Sequence, residues 1–487
     1  MNLKFWFIAG SQHLYGPEVL DTVAKRAAEI AAFMNNSKDI PYEIIYKDTM
    51  KTPDEISKLI KNANYDDSCA GLIVWCHTFS PSKMWINGLT ALQKPYLHFH
   101  TQYNRNIPVN EIDMDFMNLN QAAHGDREHG FIGARLRLSR KIVVGYWQDT
   151  HVLNKIGAWQ RSAAGYAESK ALKIIRFGDN MRHVAVTEGD KVEAQIKFGW
   201  QVNTIGTGEL VNEINSVTET DVASLMDEYR KKYIFNTGDI EAVKYQARAE
   251  IAMLKILQRE GAFAFTNTFE DLYGMKQLPG LASQRLMEQG YGYGAEGDWK
   301  TSALTRIIKM ITQGMGGSTF MEDYTYDLEP GKELTLGAHM LEVCPTIADA
   351  KPRIEVHPLG IGGKEPPARL VFEGKAGKAI AASMVDMGGR MRLIAQDLEC
   401  VKPVHEMPKL PVARVMWKAM PDLLTAAHAW ILAGGAHHTV LSYGLTSEML
   451  EDWANMMEIE FVHINSKTTI ESFKKDLFFS DITWRLK

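Results

Sequence analysis

The amino-acid sequence predicts an α/β fold with two doubly wound parallel-sheet domains, followed by a mainly antiparallel, β-barrel-like C-terminal domain. Short apolar runs alternate with amphipathic helical segments through the first part of the chain. Those runs are almost wholly apolar, which is typical of strands that helices cover on both faces. Beyond residue 312, short strand-like runs between glycine and proline turns replace the alternation.

Four apolar runs predict the first sheet, at residues 3–8, 43–46, 70–76 and 95–100. Pro17, Pro53 and Pro81 mark helix starts between them, because proline suits the first helical turn. Thr52 and Glu55 form a capping box around the second start. A strand–helix–strand order implies parallel pairing, since parallel neighbours need a crossover connection. We therefore expect a flavodoxin-like α/β domain over residues 1–170.

The same alternation predicts a central α/β domain over residues 171–317. Its strands are expected at residues 172–177 and 262–266, and its helices at 221–229, 239–259 and 299–312. The C-terminal domain then covers residues 318–487, with one helix at 423–432. Its expected strands lie at residues 333–336, 353–357, 368–372, 379–384 and 391–395.

The composition and charge of the chain argue against nucleic-acid-binding, membrane and secreted proteins. The chain has 487 residues and a formal net charge of -5, with no long basic run, which argues against a nucleic-acid partner. No apolar run approaches the roughly 18 residues of a membrane helix, and the first residues enter a strand without a signal-peptide layout. The four scattered cysteines, Cys69, Cys76, Cys344 and Cys400, are typical of buried thiols in a reducing compartment. We therefore expect a cytoplasmic protein without a membrane partner.

Glycines and aromatic residues surround two acidic segments and one histidine segment between residues 290 and 345. Glycine lets a backbone approach a ligand closely. A glutamate beside tryptophan or tyrosine is partly desolvated, which raises its pKa unless a cation compensates. We hypothesise that Glu296, Glu322 and His339 converge on one divalent metal. Two carboxylates with imidazole suit a hard or borderline ion such as Mn²⁺.

Spacing alone leaves a plainer interpretation open, in which Glu296 and Glu322 are surface carboxylates at turns and His339 is a core histidine. Two details favour the metal site. The Gly-x-Gly-x-Gly run at residues 290–294 predicts an unusual backbone, and the pair His437 and His438 follows two glycines at a helix-to-strand junction.

Seven motifs resemble the L-arabinose isomerase family over nearly the whole chain. They read GSQHLYG at residues 10–16, HTFSPSKMWING at 77–88, DFMNLN at 115–120, EGDWK at 296–300, FMEDY at 320–324, HMLEVCP at 339–345 and GGAHHT at 434–439. The resemblance implies a three-domain fold related to L-fucose isomerase. It also implies conversion of L-arabinose to L-ribulose, and often of D-galactose to D-tagatose, with one Mn²⁺ per subunit and Co²⁺ as a substitute.

The resemblance also implies roles for particular residues. The metal ligands would be Glu296, Glu322, His339 and His438, with His437 as the alternative to His438. Substrate contacts would fall on Gln12, Leu14, Gln121, His124, Met181, Phe269, Ile361 and His437. The family forms trimers and hexamers, so we expect a homo-oligomer in which the N-terminal sheet of one subunit faces the metal site of its neighbour.

The residue types suit aldose–ketose isomerisation, in which one carboxylate takes the C–H proton and a second group serves the oxygens. Glu296 and Glu322 are thus the expected catalytic pair. Two other hypotheses stay open at this point: a related isomerase of the L-fucose type, and a catalytically silent sugar-binding protein.

Overall fold

The computed structural model describes residues 2–403 and 405–486. It has two compact units: the first runs to Ala167 and includes Glu451–Glu458, and the second comprises Glu168–Leu450 and the chain from Ile459 onward. None of the described helices is long and apolar enough to cross a membrane. All four cysteines are free and buried, as the sequence predicted.

The first unit is built on a five-stranded parallel sheet with the order β2-β1-β3-β4-β5, the order of flavodoxin-like folds. Its strands are β1 (Lys4–Gly10), β2 (Glu43–Met50), β3 (Cys69–Cys76), β4 (Tyr96–His100) and β5 (Lys141–Val144). Its helices are α1 (Gly16–Asn35), α2 (Pro53–Tyr65), α3 (Ile86–Ala91), α4 (Met114–Leu119), α5 (Ala122–Arg135) and, for most of its length, α6 (Thr150–Ala171).

Strand β1 shows why this sheet is apolar on both faces. Successive side chains of a strand point to opposite faces. Phe5 and Phe7 belong to one apolar core, and Trp6 and Ile8 to the other. All eight residues of β3 are buried. The sheet therefore lies between two layers of helices, which explains the nearly continuous apolar runs.

The second unit begins with a four-stranded parallel sheet of order β10-β9-β6-β7. Its strands are β6 (Lys173–Phe177), β7 (Gln201–Ile205), β9 (Ala264–Asn267) and β10 (Gly292–Ala295), while the short β8 (Ile234–Phe235) pairs elsewhere. The helices of this region are α7 (Lys191–Phe198), α8 (Thr207–Ser216), α9 (Glu219–Lys232), α10 (Ile240–Glu260), α11 (Gly280–Glu288) and α12 (Trp299–Ile311).

Six antiparallel strands close a barrel in the same unit, in the order β15-β18-β11-β12-β17-β16 with β16 returning to β15. They are β11 (Ser318–Asp327), β12 (Leu334–Ala338), β15 (Gly377–Asp386), β16 (Met391–Val401), β17 (Arg414–Ala419) and β18 (His438–Ser442). A three-stranded sheet joins β13 (Arg353–Val356), β14 (Ala368–Val371) and β8, and β19 (Glu460–Ile464) extends β16 in parallel. The remaining helices are α13 (Leu423–Ala433), α14 (Ser447–Met457) and α15 (Ile470–Arg485).

The fold class predicted from the sequence is confirmed, whereas the domain limits at residues 170 and 317 stay a prediction. The prediction of an unusual backbone throughout the glycine run at residues 290–294 is wrong. Gly292 and Gly294 lie in the ordinary strand β10, and only Gly290 of the three has a positive φ, 100°. A Cβ at Gly294 would lie 2.6 Å from the Asp298 carbonyl oxygen. These glycines therefore allow α12 to pack closely on β10.

Candidate metal centre

A cavity of about 360 Å³ in the second unit is lined by three residues of the predicted site, Glu296, Glu322 and His339. Its size lies within the range of roughly 300–1,000 Å³ that is typical of small-molecule sites. Its polar lining comes from Asn267, Tyr293, Glu296, Glu322, Asp323, Tyr324, His339 and Glu342, and its apolar lining includes Met181, Phe269, Leu278, Leu359 and Ile361.

Strand pairing in the barrel brings three of the predicted ligands together. Glu322 on β11 pairs with His438, the first residue of β18. On its other side Glu322 pairs with Ala338, the last residue of β12, so that His339 follows directly. Paired residues lie roughly 5 Å apart across a sheet. Residues more than a hundred positions apart in the sequence thus meet through antiparallel register.

Glu296 reaches the same cavity from the parallel sheet. It follows β10 and has a φ of 61°, an uncommon conformation for a residue with a side chain. Its carbonyl accepts a hydrogen bond from the Met181 amide at 2.9 Å, and the next amide, of Gly297, donates to the Asn267 carbonyl at 3.1 Å. Two neighbouring loops therefore hold the turn that places this carboxylate.

The histidines lie close to the two carboxylates. Glu296 Oε2 is 3.6 Å from His438 Nε2 and 3.7 Å from His437 Nε2. The potential ligand atoms of these three residues all lie within 4.8 Å of one another. His339 Nε2 is 3.9 Å from Glu322 Oε2 on the same cavity wall. The structure thus groups Glu296 with both members of the histidine pair, which is why either one suits the fourth position.

Burial separates the two histidines. The side chain of His438 is fully buried, whereas that of His437 is 39% exposed. His438 Nδ1 contacts Asp298 Oδ2 at 3.1 Å. Its other nitrogen, Nε2, is buried and has no hydrogen-bond partner in the described part of the chain. An unpartnered buried nitrogen costs free energy, so the site is suited to a cation that would bind it.

His339 is held in a similar way. Its Nδ1 lies 2.6 Å from Glu342 Oε2, which leaves Nε2 directed toward Glu322. A carboxylate on one imidazole nitrogen fixes the ring and frees the other nitrogen for a metal. Burial lowers the pKa of His339, but Glu342, Glu322 and Glu296 together outweigh it, and the pKa lies above its ordinary value.

The ionisable groups of the site shift one another's pKa values. Burial would raise the pKa of Glu296, but His437, His438 and His339 outweigh it and lower the pKa. The nearby carboxylate of Glu296 is the main reason that the pKa of His437 is raised. Burial, with Glu322 beside it, raises the pKa of Asp323 to about 7. The negative charge gathered here favours a cation.

Asp298, Glu342 and Asp323 were not among the predicted site residues. The pattern could have indicated the first two, because Asp298 stands at the N-cap of α12, two residues after Glu296, and Glu342 follows His339 by three. Burial would raise the pKa of Asp298, but Lys300 and His438 outweigh it and hold the pKa well below its ordinary value. No comparable signal marks Asp323, which lies half-buried on strand β11 of the barrel.

Met181, Phe269 and Ile361, three of the predicted substrate contacts, line this cavity. Four of the other five lie in the first unit, at the carboxyl ends of its strands, and the fifth, His437, is the partly exposed neighbour of His438 described above. Gln12 and Leu14 follow β1, and Gln121 and His124 lie at the start of α5. The Gln121 amide donates to the His77 carbonyl, and Ser11 Oγ contacts Thr78 Oγ1 at 2.6 Å, which ties these loops together.

Three family descriptions match successive parts of the chain. They are the L-arabinose isomerase N-terminal domain over residues 1–171, the central domain over 173–314 and the C-terminal domain over 317–460. The L-arabinose isomerase of Geobacillus stearothermophilus is 56% identical over 488 residues, which cover 99% of this chain and 98% of that one. Those of Thermotoga sp. (strain RQ2) and Halalkalibacterium halodurans are 56% and 55% identical, with the same coverage.

Proposed function

This chain belongs to the L-arabinose isomerase family and is an isomerase, and we propose that it converts L-arabinose to L-ribulose, and D-galactose to D-tagatose as a side activity, by proton transfer through an enediol. Glu296, Glu322 and His339 line one cavity, and His438 Nε2 lies 3.6 Å from Glu296 Oε2; this grouping is the observation that carries the proposal.

Glu296, Glu322, His339 and His438 would hold one Mn²⁺ per subunit, with Co²⁺ as a substitute. The donor set supports this, because carboxylate and imidazole together suit Mn²⁺, and because His438 Nε2 is buried without a partner in the described residues. His438 is favoured over His437 since Asp298 holds its other nitrogen. When bound, the ion would supply a Lewis acid toward the sugar oxygens.

The proton transfers fall to the two carboxylates. In the aldose-to-ketose direction, one carboxylate removes the proton from C2, and the electron pair of that bond forms the enediol double bond. The proton then returns to C1, while a second proton moves from the C2 oxygen to the C1 oxygen. Glu296 and Glu322 both line the cavity and are two groups of this kind.

The apolar residues of the cavity would position the sugar. Met181, Phe269 and Ile361, which line the cavity, would contact its carbon face, and the partly exposed His437 would bind its hydroxyl groups. We further propose a homo-oligomer, a trimer or hexamer, in which Gln12, Leu14, Gln121 and His124 of a neighbouring subunit complete the sugar site. Its location is proposed to be the cytoplasm, where four buried free thiols stay reduced.

Incubation of metal-stripped protein with L-arabinose, with and without Mn²⁺, tests the proposal by measuring ketose formation. Ketose from L-arabinose that requires Mn²⁺ is the expected result. Parallel incubations with L-fucose and D-galactose separate the related activities. Sugar binding without any ketose would contradict the proposal and favour a non-catalytic sugar-binding protein.

A further inference from the structure

Lys300 is fully buried in the first turn of α12, four residues after the candidate ligand Glu296. Its Nζ donates to the carbonyl oxygens of Thr187 at 3.0 Å and Glu188 at 2.6 Å. The third contact is an ion pair with Asp298 Oδ1 at 3.3 Å. Burial of a lysine is costly unless its charge and its donors are compensated, and the two carbonyl oxygens together with the Asp298 carboxylate supply that compensation.

Asp298 is also buried, at 1% exposure, and its two oxygens have different partners. Oδ1 faces Lys300 and accepts from the Thr301 amide at 3.1 Å. Oδ2 accepts from Thr301 Oγ1 at 2.8 Å and contacts His438 Nδ1 at 3.1 Å. The carboxylate therefore cannot rotate without losing Lys300 or His438.

The other acceptors of Lys300 are themselves fixed. The Thr187 carbonyl also accepts from Asn180 Nδ2 at 2.7 Å. Gly189 packs so closely that a Cβ there would lie 3.0 Å from the Trp299 ring and 3.2 Å from Lys300 Cδ. The segment of residues 187–189 thus holds the lysine independently of Asp298, which makes Lys300 a rigid support.

We propose that Lys300 is a positioning residue for divalent-metal binding: it fixes the carboxylate of Asp298, which in turn orients His438 so that Nε2 faces Glu296. This inference rests on the proposed function, because it takes His438 to be a metal ligand. Lys300 acts through Asp298 and does not itself contact the cavity.

Lys309 provides a matched control on the same helix. Its Nζ donates to the Ser318 carbonyl at 2.7 Å and contacts Cys344 Sγ at 3.5 Å, and it does not contact Asp298. Lys309→Met therefore removes a partly buried lysine with similar hydrogen bonds but leaves the support of His438 intact.

The test is calorimetric titration of metal-stripped, full-length protein with Mn²⁺, on samples shown by circular dichroism to be folded. Lys300→Met should raise the Kd about 10- to 100-fold, the usual effect of removing an outer partner of a metal ligand. Lys309→Met should leave the Kd within about threefold of wild type. If both variants bind Mn²⁺ with the Kd of the wild type, the inference about Lys300 is overturned and the proposed function still stands.

A double variant separates positioning from general stability. If Lys300 acts through Asp298, Asp298→Asn/Lys300→Met should bind Mn²⁺ as weakly as Asp298→Asn alone, because effects that share one route are not additive. The double variant leaves neither buried charge unpaired, so it also replaces Lys300→Met if the single variant does not fold. A further tenfold loss in the double variant would overturn the inference. Absence of Mn²⁺ binding by the wild type would instead overturn the proposed function.

Discussion

At the scale of single residues, the site depends on side chains that the surrounding structure holds in place. Glu296 has a positive φ, a conformation that costs about 1–2 kcal/mol for a residue with a Cβ. Hydrogen bonds from the loops at Met181 and Asn267 stabilise that turn. Two further carboxylates, Asp298 and Glu342, each bind one nitrogen of a histidine and leave the other free.

Replacing either candidate catalytic carboxylate tests its role directly. Glu296→Gln and Glu322→Gln should each lower kcat by at least about 10²-fold, the scale expected for loss of general acid–base catalysis. Glutamine keeps the size of the side chain, so the circular dichroism spectrum should stay unchanged. Glu329→Gln, at an exposed carboxylate of the chain segment between β11 and β12, is the control and should keep wild-type turnover.

Isotope labelling tests the route of the hydrogen. A proton held on Glu296 or Glu322 can exchange with solvent before it returns to carbon, whereas a direct hydride shift keeps the original hydrogen. Turnover of L-arabinose in deuterated water should therefore place deuterium at C1 of L-ribulose, measured by NMR. Complete absence of label in the product would count against an exchanging carboxylate.

The pH dependence of metal binding follows from His339. The ring must be neutral to bind a metal, and its pKa in the metal-free protein lies above the ordinary value of about 6.5. Protons therefore compete with Mn²⁺ as the pH falls through that raised pKa, so the affinity should already decrease above about pH 6.5. Titrations across the range from about pH 5 to 8 would check this.

Glu342→Gln provides the control for this prediction. It removes a carboxylate that raises the pKa of His339, so the loss of affinity should move to lower pH. An affinity for Mn²⁺ that does not vary with pH would show that His339 is not a ligand.

At the scale of elements, two kinds of sheet meet at one helix. The barrel register sets Glu322 beside His438, and the end of the parallel strand β10 supplies Glu296. Helix α12 contacts β10 as well as the barrel strands β11 and β18. The position of this helix therefore controls how the two halves of the candidate metal centre meet.

Gly294→Ala tests the close packing of α12 on β10. The added Cβ would lie 2.6 Å from the Asp298 carbonyl oxygen and 2.8 Å from the Ser302 amide nitrogen, and backbone atoms cannot move aside cheaply. We expect a loss of about 1–3 kcal/mol in unfolding free energy, typical of overpacking, together with weaker Mn²⁺ binding.

Gly208→Ala in α8 is the matched control, because no heavy atom lies within 4 Å of its added Cβ. There alanine should be neutral or stabilise the helix by up to about 1 kcal/mol. Denaturant unfolding of both variants measures the difference. Equal stability would mean that the strand and helix can separate without cost.

At the scale of the whole molecule, the first unit presents an apolar side chain that the chain itself does not cover. Leu14 is 81% exposed, next to Gln12 and on the same sheet edge as Gln121 and His124. An exposed leucine by itself is ordinary. Beside three polar residues that resemble the family's sugar contacts, it supports the proposal of a shared site in a homo-oligomer.

Mixing two inactive variants tests shared sites. Subunits with Glu296→Gln and subunits with Gln12→Ala should recover part of the wild-type activity when they are co-assembled. Some sites then combine an intact Glu296 from one subunit with an intact Gln12 from its neighbour. Co-purification through two different affinity tags shows that mixed oligomers formed. Mixed oligomers without recovered activity would indicate that each subunit has a self-contained site.

The sequence by itself determined the fold class and the family of this protein. Apolar runs such as that of β3 predict covered parallel strands because burial on both faces demands apolar side chains throughout. Long motifs such as EGDWK at residues 296–300 identified the family, and the full-length relatives confirm it. Both signals are local in the chain, and a sequence displays local patterns directly.

The tertiary structure alone decided how distant residues meet. The strand register that sets Glu322 beside His438 depends on the closure of six strands, which no local pattern encodes. Likewise, Lys300 and Asp323 look like ordinary surface charges in the sequence. Lys300 becomes buried only when α12 packs on the segment of residues 187–189, and Asp323 becomes half-buried only within the barrel, because burial is a property of the assembled layers and not of a residue's neighbours in the chain.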